Sequence, residues 1–247
     1  MTLRHVLPAV IALGTPAAAL DLDAMTEAER TAFGAEVRAY ILENPTIIRE
    51  AIGVLQAREQ AEQAAADTAM AQAATDALFN DGYSFVGGNP DGDITIVEFL
   101  DYSCGYCKRA FPEVESLVSQ DGNIRFIVKE LPILGEQSVI AAQFAVATQI
   151  VMGDETYKQV HDTLMEFRGD INTQSLTRLS DTLGLETQAI FAKMGDEAVT
   201  DVINANRALA QQLQISGTPT FIIDDQMLRG YVPLADMEQI VASLRDD

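Results

Sequence analysis

The stretch Ile94-Thr95-Ile96-Val97-Glu98-Phe99-Leu100-Asp101-Tyr102-Ser103-Cys104-Gly105-Tyr106-Cys107-Lys108-Arg109 holds both cysteines of the chain and decides its fold. Residues 94–100 alternate and are rich in β-branched side chains, the pattern of a buried strand. The residues after this strand read as a helix, with Cys104 at its N-terminus and Cys107 one turn in. Residues i and i+3 share a helix face, so two sulfurs at this spacing can bond without distorting the backbone. First-turn N–H groups and the helix dipole stabilise an anion at Cys104. Thiols in such places have pKa values lowered to roughly 3.5–7.5. Cys104 is therefore expected to be the exposed nucleophile, and Cys107 the resolving thiol that frees a mixed disulfide.

Two other readings of a C-x-x-C pair are weaker. Zinc wants four ligands, yet the chain has no second cysteine pair and its remaining histidine beyond the first few residues is His161. No metal is assigned, and disulfide exchange between thiols requires no cofactor. An inert structural disulfide does not need to come directly after a strand.

Composition narrows the partners. The chain has 247 residues and a formal net charge of −21. An acidic surface argues against nucleic acid or anionic lipid as a partner, since both are met by basic patches. Residues 1–19 read as a secretory signal: Arg4 and His5, an apolar core from Val6 to Leu13, and a small-residue site ending at Ala19. That core is too short to span a bilayer. The expected product is a soluble, exported protein in a disulfide-permissive compartment, the periplasm.

Residues 20–80 form an expected N-terminal helical stalk. Thr26-x-x-Glu29 is a capping box, and Phe33, Val37, Tyr40 and Ile41 make an apolar stripe behind it. Pro45 suits the first turn of a second helix running from Thr46 to about Phe79. Its first half carries Ile47, Ile48, Ile52 and Leu55. Its second half is rich in Ala, Gln and Glu, with little to bury, and is expected to be solvated. The apolar first half calls for a partner, and self-association is the simplest one.

The catalytic domain is assigned to residues 81–247. Strands are expected at 83–86, 94–100, 123–131, 220–223 and 227–232. Pro112 is expected to kink the helix after Cys107. Between the third and fourth strands lies a helical insertion at about 136–213, built of blocks at 136–152, 155–167, 174–183, 186–194 and 197–213. A last helix begins near Leu234.

Three motifs in this order, Val97-Glu98-Phe99-Leu100-Asp101-Tyr102-Ser103-Cys104-Gly105-Tyr106-Cys107, Lys129-Glu130-Leu131-Pro132-Ile133-Leu134-Gly135 and Ser216-Gly217-Thr218-Pro219-Thr220-Phe221, resemble the DsbA-like branch of the thioredoxin superfamily over residues 83–245. The resemblance implies an α/β thioredoxin-like fold with an inserted helical domain, and a cis bond before Pro219 beside the active-site cysteines. Thr218 and Pro219, with Gly105 and Tyr106, would hold an extended substrate segment, much as a strand adds to a sheet. Glu98 stands where this family keeps a partly buried carboxylate, and would handle the proton of Cys107. Lys129 is a candidate ion partner for it. The family's oxidases typically carry histidine before the second cysteine; Tyr106 stands there instead, which implies a less oxidising site.

Gly105-Tyr106 with Thr218 looks like the disulfide isomerases. The Asn44-Pro45-Thr46-Ile47-Ile48 region with its long helix resembles ScsC-like proteins, periplasmic relatives linked to copper tolerance, some of them trimeric. The resemblance implies an exported disulfide isomerase or reductase, a homo-oligomer with a trimer favoured, acting on disulfide-containing or misfolded exported proteins and reset by a membrane redox partner. Two alternatives stay open: a monomeric DsbA-like oxidase, and a Cu(I)-binding protein using the same two sulfurs.

Overall fold

The computed structural model describes residues 22–246. The signal segment expected at residues 1–19 lies outside the described residues. The chain divides into two compact units, one ending at Glu59 and the other beginning at Gln60.

The first unit holds helix α1 (Glu27–Glu43) and the first half of helix α2 (Thr46–Ala73). Thr26 caps α1 as its spacing implies: the Glu29 N–H donates to Thr26 Oγ1 at 3.3 Å, and the Thr26 N–H donates back to Glu29 Oε2 at 2.8 Å. Such a cap is worth about 1 kcal/mol. No residue of α1 is buried. Phe33, Val37, Tyr40, Ile48, Ile52 and Leu55 are all exposed.

The second unit is built on a five-stranded mixed sheet. Its strands are β1 (Phe85–Gly88), β2 (Ile94–Leu100), β3 (Ile124–Glu130), β4 (Thr220–Ile223) and β5 (Gln226–Arg229), arranged in the order β1-β3-β2-β4-β5. The central β2 and β3 are parallel, and the other three pairings are antiparallel. The strands fall where alternation puts them, with β1 and β5 displaced by one to three residues. β2 and β3 are buried on both faces, which suits their nearly continuous apolar runs.

Period-two alternation sorts the side chains into two cores. Ile96, Leu100, Ile124, Phe126 and Val128 share one cluster with Cys104, Cys107 and the apolar faces of helices α4 (Gly105–Asp121), α5 (Glu136–Met152), α6 (Asp154–Glu166) and α10 (Leu234–Asp246). Val97, Phe99, Ile127, Leu131 and Ile222 form the other cluster. The helical insertion comprises α5 and α6 with α7 (Thr173–Leu183), α8 (Thr187–Met194) and α9 (Glu197–Gln212). Each matches an expected block to within two residues. Pro112 lies inside α4 without ending it; the helix runs on to Asp121 and stops at Gly122, whose φ of 70° suits a residue without Cβ.

One expectation about the stalk is overturned. The second half of α2 is not solvated throughout. Ala71 and Ala74, with Leu78 from helix α3 (Thr75–Phe79), are buried in the second cluster against Val97, Phe99 and Ile127. Short side chains let a helix backbone approach the sheet closely, so burial there needs no large apolar residue. Asp67 fixes the contact: Arg229 of β5 donates to both of its oxygens, at 2.7 and 3.3 Å. Gln72 donates to Asp225 at 2.9 Å. Ala71→Leu is expected to overfill this contact and lower stability by about 1–3 kcal/mol in urea unfolding. Ala64→Leu, on an exposed turn of the same helix, should change it by less than about 0.5 kcal/mol. Equal effects at the two positions would mean the helix does not dock.

Candidate active site

β2 delivers the chain to the site, and a turn passes it into α4. The Cys104 N–H donates to the Asp101 carbonyl at 2.9 Å, closing that turn. Cys104 is the N-cap of α4 in extended conformation, and its sulfur accepts from the Cys107 N–H at 3.4 Å. A thiolate here takes the place that Ser or Asp oxygen takes at ordinary helix starts. The Thr218–Pro219 bond is cis, as expected. The Cys104 thiol donates to the Thr218 carbonyl at 3.1 Å, so groups 114 positions apart in sequence meet at one sulfur.

The two thiols differ sharply in proton affinity. The Cys104 thiol is brought down to about 5, first by the hydrogen bond from the Cys107 thiol, then by Thr218 and by the N–H groups of Cys107 and Tyr106, all acting against burial. The Thr218 hydroxyl is buried and has no hydrogen-bond partner. It helps hold the Cys104 thiol down. Cys107 moves the other way: burial pushes its thiol far up, and the charges at Cys104 and Glu98 add to this. Exposure separates the pair less than expected. Cys104 is 6% exposed and Cys107 is 0%. The nucleophile is marked by its hydrogen bonds, not by open access.

The other expected residues lie around this pair. Gly105 and Tyr106 open α4 at the surface, with Tyr106 61% exposed. Its ring is 6.4 Å from that of Tyr231. The Arg109 guanidinium sits over Tyr231 at 4.4 Å, and the Tyr231 hydroxyl donates to Glu113 at 2.6 Å. Tyr106 contributes its backbone N–H to the Cys104 sulfur, a role that does not depend on its side chain. Glu98 is 2% exposed, on the sheet face that carries both cysteines, and its Oε1 has no partner. Burial, then the charges of Glu115, Cys104 and Glu130, push its carboxyl up to about 8.

Lys129 is not its ion partner. It pairs with Asp81 and donates to the Ala77 carbonyl at 2.8 Å. In the parallel register Phe99 opposes Lys129 while Glu98 opposes Val128, so Lys129 and Glu98 point to opposite faces of the sheet.

Sequence spacing does not single out Asp101. It is buried, and its carboxylate accepts from Ser103 N–H at 2.7 Å, Ile133 N–H at 2.8 Å and Leu134 N–H at 3.0 Å. It thereby ties the Cys104 turn to an exposed apolar lip, Ile133 and Leu134. No local pattern pairs position 101 with 133; only the parallel β2–β3 register does. Among the described residues, no three of His, Cys, Asp and Glu group as metal ligands do.

Comparison with known proteins agrees with this geometry. Residues 95–242 match the DSBA-like thioredoxin domain, and residues 29–62 match the copper resistance protein ScsC N-terminal domain. A thioredoxin-like oxidoreductase from Silicibacter pomeroyi is 40% identical over 70% of this chain and 98% of its own, with a TM-score of 0.66. ScsC from Proteus mirabilis, in a transitional conformation, is 29% identical over 90% of this chain and 98% of its own, with a TM-score of 0.64. The Na(+)/H(+) antiporter NhaA 1 of Salinispora arenicola is 26% identical over 64% of this chain, which spans 24% of that relative's length. With a matching family model over most of its length and two thiols so placed, the chain belongs to the DsbA-like thioredoxin family of thiol–disulfide oxidoreductases.

Proposed function

We propose that this protein is an exported disulfide isomerase or reductase, with Cys104 as nucleophile and Cys107 as resolving thiol. The observation that carries the reading is the placement of two sulfurs one turn apart at the start of α4, Cys104 accepting from the Cys107 N–H and Cys107 fully buried, beside Thr218 and cis Pro219. The Cys104 thiolate attacks a client disulfide; one client sulfur bonds to Cys104 and the other leaves with the electron pair. The client can then rearrange. If it stalls, Cys107 gives its proton to the Glu98 carboxylate and attacks the Cys104 sulfur. The bond from Cys104 to the client breaks, the client leaves as a thiolate, and a Cys104–Cys107 disulfide remains for a membrane redox partner to reduce. Glu98 suits the acceptor role because it is buried on the same face and one of its oxygens is unpartnered.

Thr218, Pro219, Gly105 and Tyr106 border the reacting sulfur, and we assign them to holding the client strand. The clients are disulfide-containing or misfolded exported proteins. Export rests on residues 1–19 of the sequence; among the described residues no helix is long and apolar enough to cross a membrane. Homo-oligomerisation, with a trimer favoured, rests on the exposed apolar side chains of α1 and early α2, and on the match of residues 29–62 to the ScsC N-terminal domain. Several linked sites would raise the effective concentration of thiolate at one client. A Cu(I) carrier would need both sulfurs as thiolates, and the burial that holds the Cys107 proton opposes that.

The depressed Cys104 value sets a pH signature. Between about 5 and the ordinary thiol value of about 8.5, the folded reduced protein is ionised at Cys104 while the unfolded chain is not. At this group the unfolded state then binds more protons, so the contribution of Cys104 to stability rises with pH across this window and is lost as pH falls through about 5, while Glu98 and Glu130, pushed up to about 8, contribute with the opposite sign. The oxidised protein lacks the thiols and keeps the carboxyls, so the difference between the two forms isolates the Cys104 contribution. Unfolding of both forms against pH checks this; parallel curves would place Cys104 at an ordinary pKa.

The isomerase reading predicts rescue of a scrambled multi-disulfide substrate by the full chain. Val37→Glu with Ile52→Lys should yield monomers by light scattering and abolish that rescue, while dithiol exchange at Cys104 survives. A monomeric wild type that oxidises reduced peptide rapidly and rescues nothing would instead support the DsbA-like oxidase.

A further inference from the structure

Beneath the redox pair lies a second polar cluster that the exchange steps do not use. Glu130 Oε1 accepts from the Tyr102 hydroxyl at 2.6 Å and from the Tyr157 hydroxyl at 2.6 Å. The Tyr102 oxygen also lies 3.1 Å from His161 Nδ1. A phenol has one proton to give, and Tyr102 gives it to Glu130, so His161 Nδ1–H donates to Tyr102. All four side chains are buried, and Glu130 Oε2 has no partner. Tyr102, Tyr157 and, through Tyr102, His161 thus converge on one carboxyl. The cluster joins β3, the Cys104 turn and α6 of the helical insertion.

Two geometric facts join this cluster to the site. Tyr102 stands two residues before Cys104, inside the turn closed by the Cys104 N–H and the Asp101 carbonyl. Glu98 opposes Val128 in the parallel register, and Glu130 lies two residues beyond Val128. The two glutamates are therefore diagonal neighbours on one sheet face, with backbones about 8 Å apart. Buried carboxyls so close cannot both ionise independently.

We propose that Glu130 is a positioning residue for the redox centre: through Tyr102 it fixes the turn that presents Cys104, and across the shared sheet face it competes with Glu98 in giving up a proton. The second half rests on the acceptor role proposed for Glu98. The other groups facing the pair are Asp101 at the end of β2, Cys104, Cys107 and Glu115 from α4, and Tyr157 and His161 from α6, with Lys158 beyond His161. Burial holds His161 neutral, down to about 3, so the cluster contains no cation. Burial pushes the Glu130 carboxyl up to about 8 despite its two tyrosine donors. An ionised Glu130 keeps the proton on Glu98 and so withholds the base that Cys107 needs.

The test measures release of a chromogenic aromatic thiol from its mixed disulfide with Cys104. Cys107 loses its proton to Glu98 and attacks Cys104, and the aromatic thiolate leaves with the electron pair. Release rates against pH are compared for the full-length wild type, E98Q, E130Q and Y102F. In E130Q the midpoint should move to lower pH by about one unit, making release up to about tenfold faster on the acid limb. General damage to the fold would slow it. In Y102F the ultraviolet titration of the Cys104 thiolate should move to higher pH. E98Q separates the two readings: a profile unchanged in E98Q removes Glu98 as acceptor. A flattened profile in E98Q beside an E130Q profile superimposed on wild type overturns the role of Glu130, and an unmoved thiolate titration in Y102F overturns its turn-fixing half. If E130Q does not fold, carbon-13 titration of glutamate carboxyls in the wild type decides. Two carboxyls titrating in mutually dependent steps support the coupling, and two independent steps overturn it.

Discussion

Two largely buried sulfur atoms one helical turn apart cannot both carry charge near neutral pH. The protein resolves this by treating them unequally. Cys104 sits at the start of α4 with donors around it, and Cys107 sits within the helix, buried and retaining its proton. The proton on Cys107 is itself the foremost stabiliser of charge on Cys104. That hydrogen bond lowers the Cys104 thiol with tyrosine, not histidine, between the cysteines. It also means that moving the Cys107 proton weakens the very charge that holds the nucleophile ready, so attack and release are opposite states of one bond.

The rest of the architecture holds the two sulfurs in place. α4 must begin where β2 ends, and Asp101 and Tyr102 secure that junction. One binds the 131–135 loop through its carboxylate, and the other binds β3 and α6 through its hydroxyl. The helical insertion is thereby part of the site's foundation. Its side chains Tyr157 and His161 pack under α4, with Phe111 meeting the His161 ring edge-on at 5.8 Å.

Much of this is legible from sequence because the signals are local or paired by motif. Strand alternation, helical spacing and the C-x-x-C and Thr218-Pro219 motifs each report on neighbouring residues. The features that escape such reading depend on register or on absence of bulk. Lys129 resembles a partner for Glu98, yet one residue of offset in β3 sends it to the other face, where Asp81 meets it. The alanine-rich half of α2 has too few large apolar side chains to signal burial, but close backbone approach needs small residues, and hydropathy does not record that. Asp101 and Glu130 lie inside recognisable motifs, but their partners lie about 30 positions away or on a helix whose packing the sequence does not give.

The opposite orientations of Lys129 and Glu130 bear on which genetic changes the domain can survive. These adjacent residues hold a buried cation against the α3 side and a buried acid against the redox side. Deleting or inserting one residue in β3 would exchange them. A lysine would then stand under the cysteines and an unpaired glutamate would face Asp81, so two cores would be mischarged by one event. Loop-length variation between β3 and the insertion is mechanically tolerable by comparison. The strand itself is a reading frame for charge, and its length is the quantity that drift among relatives should leave alone.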